Sequence, residues 1–280
     1  MNAGVLRVPC TYQGGKQRLA KAIVDIIFSD CNITENTMFY DLCCGSGAIS
    51  IELVNRGIRP QNITMLDISS WGAFWSTIGY GLFNMKYFNE ILSSLPNDKR
   101  EYKNHLATLV SSNPGIHEAE LYPILQANSF GGKQITSKNG KWDNACFRDY
   151  WEPTVNSIRR SPANPMQPSP SELKKRITAI VRDMHGVNGI RGDIMSFFSF
   201  DISPNSIVYV DPPYMNTTGY SFMFDINEFI QRYKTSFQNP LYVSENVTLG
   251  YDAIKLQLKG ANGGITGSRR NKHEEWLSRF

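Results

Sequence analysis

The sequence predicts an α/β fold of Rossmann-like type, interrupted by an inserted subdomain. Three observations predict it. The short apolar run 37–42 (TMFYDL) leads into the Gly-rich turn Asp41-Leu42-Cys43-Cys44-Gly45-Ser46-Gly47 and then a helical pattern, AISIELVNR. A second apolar run, Asn62 to Asp67, ends in an acid, completing strand, glycine turn, helix and acid-tipped strand. After a long turn-rich stretch the alternation resumes with Asn205 to Asp211, a strand that ends in Pro212-Pro213-Tyr214.

Bulk properties agree. A chain of 280 residues that is 41% apolar can bury a substantial core. No run of about 18 apolar residues predicts a transmembrane helix. The first residues, MNAGVLRVPCTYQGGK, lack the apolar centre of a signal peptide. The five cysteines (Cys10, Cys31, Cys43, Cys44, Cys146) are odd in number and form no Cys-x-x-Cys pair. Neither a disulfide framework nor a metal site is expected, and a reducing cytoplasm is the expected compartment.

In chain order, Thr11 to Leu19 (TYQGGKQRL) reads as a Gly-Gly turn before a helix from Lys16 to Phe28. The AISIELVNR helix stops at Gly57, a C′ residue. Residues 71–92, apolar and aromatic, read as one helix over the sheet. Between 111 and 170 turn formers crowd in (SSNPG, SFGGKQ, SKNGKWDN, RRSPANPMQPSPS), which predicts short strands and loops. Helical order returns over 171–186 with Ser171 as N-cap. Gly192-Asp193-Ile194 then marks a strand end, 225–236 a helix and 241–244 a strand. The expected division is a main domain of residues 1–110 and 187–280 around an insert, 111–186.

Charge is uneven along this plan. Residues 131–191 hold eleven Lys/Arg (133, 138, 141, 148, 159, 160, 174, 175, 176, 182, 191) against five acids (143, 149, 152, 172, 183), a net of +6. The whole chain is +4, so the remainder is −2. A basic insert on a near-neutral frame suits a polyanionic partner. Lys133, Lys138, Lys141 and Arg148, interleaved with Trp142, Phe147, Tyr150 and Trp151, are the candidate nucleic-acid contacts, with Arg269 and Arg270 near the C-terminus.

Asp211-Pro212-Pro213-Tyr214 carries the most chemistry. Ligands of open α/β sheets bind beyond the carboxyl ends of strands, where this tetrapeptide falls. The two prolines fix φ and remove two donors, so the loop offers carbonyl acceptors with little freedom. Asp211 and the Pro212 carbonyl can together hold the hydrogens of an –NH2 group. A base amine is a poor nucleophile because its lone pair is delocalised, and two acceptors favour a pyramidal nitrogen aimed at a methyl donor. The carboxylate also stabilises positive charge developing on that nitrogen. Tyr214 supplies a flat face for a flipped base. Gly45 and Gly47 let the backbone approach a ligand at a helix N-terminus, while Cys43 and Cys44 read as packing residues. Asp67 is placed to accept from ribose hydroxyls.

Together these pieces resemble the Dam-like, alpha-ordered DNA adenine methyltransferases. In that family a Gly-Gly-Lys motif precedes the Gly-rich motif, and a target-recognition insert separates it from DPPY. The same order runs through almost the whole of this chain. The resemblance implies a class I S-adenosylmethionine-dependent methyltransferase fold and transfer to the N6 amino group of adenine in double-stranded DNA, by base flipping. By position it assigns Tyr12, Gly14, Gly15 and Lys16 to S-adenosylmethionine, with Asp41, Cys43, Gly45, Ser46 and Gly47 as the methionine loop. It assigns Asp67 and Ile68 to the ribose, Asp193 and Ile194 to the adenine ring, and Asp211 to catalysis and the cofactor edge. Leu42 and Cys43 stand where the family has Pro and Phe, and Ser69 to Trp75 is more aromatic than the family pattern. Residues 121–148 lack a close match, so no target sequence carries over.

N4-cytosine methylation, RNA methylation and a catalytically silent DNA-binding protein are the rival readings. Pro9-Cys10 and Glu245-Asn246-Val247 match short motifs of C5-cytosine methyltransferases, but Cys10 precedes the cofactor motif where that chemistry needs it after. A monomer or weak dimer is expected, without membrane partners, and the compact layout suits an orphan or phage-borne enzyme.

Overall fold

Residues 63–67, 206–210 and 241–245 are buried on both faces, the pattern of parallel strands covered by helices on either side. The structure, a computed structural model, describes residues 5–213, 225–256 and 274–280. Its main sheet contains β1 (Met38–Leu42), β2 (Ile63–Asp67), β5 (Asn188–Arg191), β6 (Ser206–Val210), β7 (Leu241–Glu245), β8 (Ala253–Leu256) and β9 (Glu275–Arg279). The spatial order is β5-β2-β1-β6-β7-β9-β8, and β9 runs antiparallel between β7 and β8. This is a Rossmann-like α/β sheet. The chain leaves β1 toward β2 on one side and β6 toward β7 on the other, so the topological switch point lies between β1 and β6.

Side chains alternate across the sheet. Phe39, Ile63, Met65, Ile207 and Tyr209 pack into one core with α1 (Ala20–Asp30), α2 (Ala48–Asn55) and α3 (Ser70–Gly79). Tyr40, Leu42, Leu66, Val208, Val210 and Val243 pack into the other, with Phe197 and α8 (Ile226–Ser236). Gly57 follows the C-cap Arg56 at φ 90°, the C′ position the sequence assigns it.

Several expectations need correction. The helix expected from Lys16 begins at Ala20, because 13–14 and 17–19 form turns. The single helix expected over 71–92 is two, α3 and α4 (Met85–Ser93). Gly81 sits at φ 69° and Leu82 N–H returns to the Thr77 carbonyl, which ends α3, and the Asn84 side chain then caps α4. The N-cap of α7 (Pro170–Asp183) is Ser169 rather than Ser171, its hydroxyl accepting from Glu172 N–H with Pro170 at N1.

The stretch expected to be short strands and loops contains one hairpin, β3 (Thr136–Lys138) and β4 (Lys141–Asp143), turned by Asn139-Gly140. It also contains α6 (Glu118–Ala127), preceded by α5 (Tyr102–Ser111). Every α6 residue from Ala119 to Ala127 is buried. A helix covered on all sides shows no amphipathic period, which is why its sequence did not announce it. Tyr122 of α6 meets Trp71 of α3 edge-to-face at 4.9 Å, so α6, Ile135, Phe147 and Met166 share the core of the main sheet. Among the described residues no helix is long and apolar enough to cross a membrane.

Candidate active site

The carboxyl ends of β1, β2, β5 and β6 open on one cleft with about 920 Å³ of empty space, counting its mouth. Tyr12, Gly14, Gly15, Lys16, Asp41, Cys43, Gly45, Ser46, Asp67, Ile68, Asp193, Ile194 and Asp211 all line it, as do Pro212 and Pro213. The structure therefore brings together residues separated by up to two hundred positions in sequence. Tyr214, Arg269 and Arg270 lie outside the described residues.

Of the residues assigned to the cofactor, Gly47 is the one that does not line the cleft. It holds φ 75° as N-cap of α2, and a Cβ there would fall 2.3 Å from the Trp75 ring. Its glycine is required by packing and backbone sign, not by ligand approach. Trp75 in turn donates its indole N–H to the Gly45 carbonyl at 2.9 Å, and Cys43 adopts φ 59°. The aromatic run after Asp67 is thus the buttress of the turn: Trp71, Phe74 and Trp75 are all fully buried.

Asp67 is more committed than expected of an acid waiting for a ribose. Its Oδ2 accepts from Gly45 N–H at 2.8 Å, and its Oδ1 accepts from the Ser69 N–H and hydroxyl at 2.8 and 2.6 Å. Burial pushes its carboxyl above the ordinary value against these hydrogen bonds. Asp41 is likewise occupied, accepting from the Ser50 hydroxyl at 2.6 Å and its N–H at 3.2 Å. Burial raises Asp41 to about 7.

Lys16 and Asp211 form the centre of the cleft's electrostatics. The Lys16 ammonium donates to Asp211 Oδ1 at 2.5 Å and to the Gly14 carbonyl at 3.1 Å, with Glu275 Oε1 at 3.5 Å. Burial disfavours the lysine charge, but Asp211 and Glu275 outweigh it and raise the ammonium above its ordinary value. Burial raises Asp211 to about 6, and Lys16 offsets only part of that cost. Asp211 N–H bonds the Leu42 carbonyl at 3.1 Å, tying its loop to the end of β1 at the switch point.

Sequence reasoning missed Gln13, Gln134 and Tyr209, which also line the cleft, and Glu275, the second acid on Lys16. Glu275 opens β9, in a stretch with no strand pattern strong enough to place it. Cys10 does not line the cleft and is 1% exposed, so it presents no nucleophile there. Cys43 and Cys44 do line it, but burial and the neighbouring acids hold both thiols well above their ordinary range.

Of the basic candidates, Lys133, Lys138 and Lys141 are exposed, and Lys138 and Lys141 face each other across the hairpin. Arg148 is half-buried, and its guanidinium donates to the Asn164 carbonyl at 3.4 Å. Arg176, Arg182 and Arg191 are paired with Glu172, Asp183 and Glu118.

No family model matches the chain. The human tRNA (uracil-5-)-methyltransferase homolog B is 25% identical to it over 99 residues, 34% of this chain. That match spans 19% of the relative's length.

Proposed function

We propose that this protein is an S-adenosylmethionine-dependent methyltransferase acting on an exocyclic amino group of a nucleobase, adenine N6 in duplex DNA first among them. The observation that carries this reading is the single cleft that joins the Gly-rich turn, the Tyr12–Lys16 loop, Asp193-Ile194 and Asp211-Pro212-Pro213. Its titratable lining is Lys16 against Asp41, Asp67, Asp193 and Asp211, an excess of acid that suits a cationic ligand even with Asp41 partly protonated near neutral pH. Bound S-adenosylmethionine supplies an electrophilic methyl group on a positively charged sulfur. Tyr12, Gly14, Gly15, Ser46 and Gly45 would hold its amino-acid end, Asp67 and Ile68 its ribose, and Asp193 and Ile194 its adenine.

Lys16 fixes Asp211 through Oδ1, which leaves Oδ2 and the Pro212 carbonyl as acceptors for the two amino hydrogens. A carboxyl near 6 is mostly ionised at neutral pH, yet close enough to take the proton that the methylated nitrogen gives up. Residues 111–186 serve in this reading as the recognition insert, with Lys133, Lys138, Lys141 and Arg148 toward the nucleic acid, Arg269 and Arg270 as further backbone contacts, and Tyr214 as the stacking face.

RNA is the second reading, favoured by the relative whose name states that it acts on tRNA. Methylation of a pyrimidine at C5 by covalent catalysis uses a thiolate to activate the ring, and the cleft's own thiols, Cys43 and Cys44, are held neutral. The amino-group reading is therefore retained for either polymer. Incubation with tritiated S-adenosylmethionine and duplex DNA, single-stranded DNA or tRNA tests it: label in duplex DNA supports the first reading and label in tRNA the second. Cofactor binding without label in any polymer indicates a catalytically silent binding protein.

A further inference from the structure

Gln134 lies between Gly131-Gly132 and β3, in a stretch whose sequence suggests only a turn, yet it is 5% exposed and lines the cleft. Its Nε2 donates to the Tyr12 hydroxyl at 2.8 Å. Its carbonyl oxygen Oε1 is buried with no hydrogen-bond partner. A buried amide carbonyl without a protein donor costs more than an average hydrogen bond contributes, so a built-in one requires an explanation.

The surroundings hold this side chain in place. Ile135 N–H donates to Gln126 Oε1 at 3.0 Å and Ser137 N–H to the Ser70 hydroxyl at 2.8 Å. Gln13 N–H donates to the Gly132 carbonyl at 2.8 Å, a second tie between the N-terminal loop and this segment. Tyr12 packs over Gly45, where an added Cβ would come within 2.9 Å of its ring. Asp67, joined to that turn through Gly45 N–H, already takes three protein hydrogens. Gln134 Oε1, by contrast, has no protein donor.

Resting on the reading of the cleft as an S-adenosylmethionine site, we propose that Gln134 Oε1 accepts a hydrogen bond from the bound cofactor, so that cleft occupancy anchors the β3–β4 hairpin further. The cofactor's ribose hydroxyls, its ammonium and its adenine amino group are all donors of the required kind. By linkage, whatever binds on Lys138 and Lys141 of that hairpin then gains affinity when the cofactor is present.

Calorimetric titration of the full chain with S-adenosylhomocysteine tests this on three proteins: the unaltered one, Gln134→Met and Gln134→Glu. Both variants lose the Nε2 donor to Tyr12; methionine keeps the shape but also removes the acceptor, whereas glutamate keeps one. The expected result is about tenfold weaker binding for Gln134→Met and a loss of no more than about threefold for Gln134→Glu. Repeating the titration with 5′-methylthioadenosine, which lacks the ammonium, locates the donor. A persisting loss assigns it to the nucleoside, and a vanished one to the amino acid. Equal affinity of all three proteins overturns the proposal alone, while an unaltered protein that binds no S-adenosylhomocysteine overturns it together with the proposed function. Should Gln134→Met not fold, hydrogen exchange of the unaltered protein decides. Added S-adenosylhomocysteine must slow the Ile135 and Ser137 amides, and unchanged exchange overturns the coupling.

Discussion

Replacing Lys16 by methionine removes the cation that sits 2.5 Å from Asp211 and 3.5 Å from Glu275. Two outcomes compete for the carboxylate left behind. Keeping it charged without its partner costs about 3–5 kcal/mol at a buried site. Taking up a proton costs about 1.4 kcal/mol for each pH unit above its titration point, which lies at about 6 in the unaltered protein. At pH 6 protonation is nearly free, and at pH 8 it costs about 3 kcal/mol, so protonation is the cheaper outcome throughout that range. The destabilisation of Lys16→Met should therefore be small at pH 6 and approach about 3 kcal/mol at pH 8. For a chain of this size that is a fall in Tm of roughly 6–12 °C at pH 8. Thermal melts of both proteins at pH 6, 7 and 8 measure it. Methyl transfer by the variant should fall with the same pH dependence, because a protonated Asp211 cannot accept both its share of the amine hydrogens and the product proton. A Tm loss independent of pH would refute the assignment of Lys16 as the counter-ion that keeps Asp211 ionised.

Asp41, raised from 3.8 to about 7, binds its proton more tightly folded than unfolded. Its contribution to stability is thus present below 3.8 and lost as pH rises through 7. Asp41→Asn should flatten the fall in Tm between pH 5 and 8, and an unchanged slope would contradict this. Gly47→Ala, forced into the Trp75 ring at φ 75°, should cost about 2–4 kcal/mol in a denaturant melt, and a cost under about 1 kcal/mol would show that the α2 turn yields easily. Iodoacetamide at pH 8 should label the exposed Cys146 well before Cys43, Cys44 or Cys10, as followed by peptide mass spectrometry. Rapid labelling of Cys43 would reopen thiolate chemistry in the cleft.

Four of the parallel strands were legible in the sequence because burial on both faces makes each a mostly apolar run: β1, β2, β6 and β7 fall within a residue of their expected limits. The lining of the cleft was legible for a related reason. Strand ends in this topology are where ligands bind, and Asp41, Asp67 and Asp211 are strand-end acids. What stayed hidden depends on tertiary partners. Helix α6 has no period to read because the fold surrounds it. The role of Gly47 is set by Trp75, twenty-eight positions away, and that of Asp67 by Gly45 and Ser69. Gln134 and Glu275 enter the site only through the packing of the insert and of β9, and nothing local marks either one.

The most direct test is nucleoside mass spectrometry on DNA and tRNA from cells expressing the unaltered chain or Asp211→Ala. N6-methyladenine is expected in DNA with the unaltered chain and is lost with Asp211→Ala, at a barrier cost of at least about 3 kcal/mol. A methyl group on ring carbon, or amino methylation undiminished in a folded Asp211→Ala protein, would contradict it.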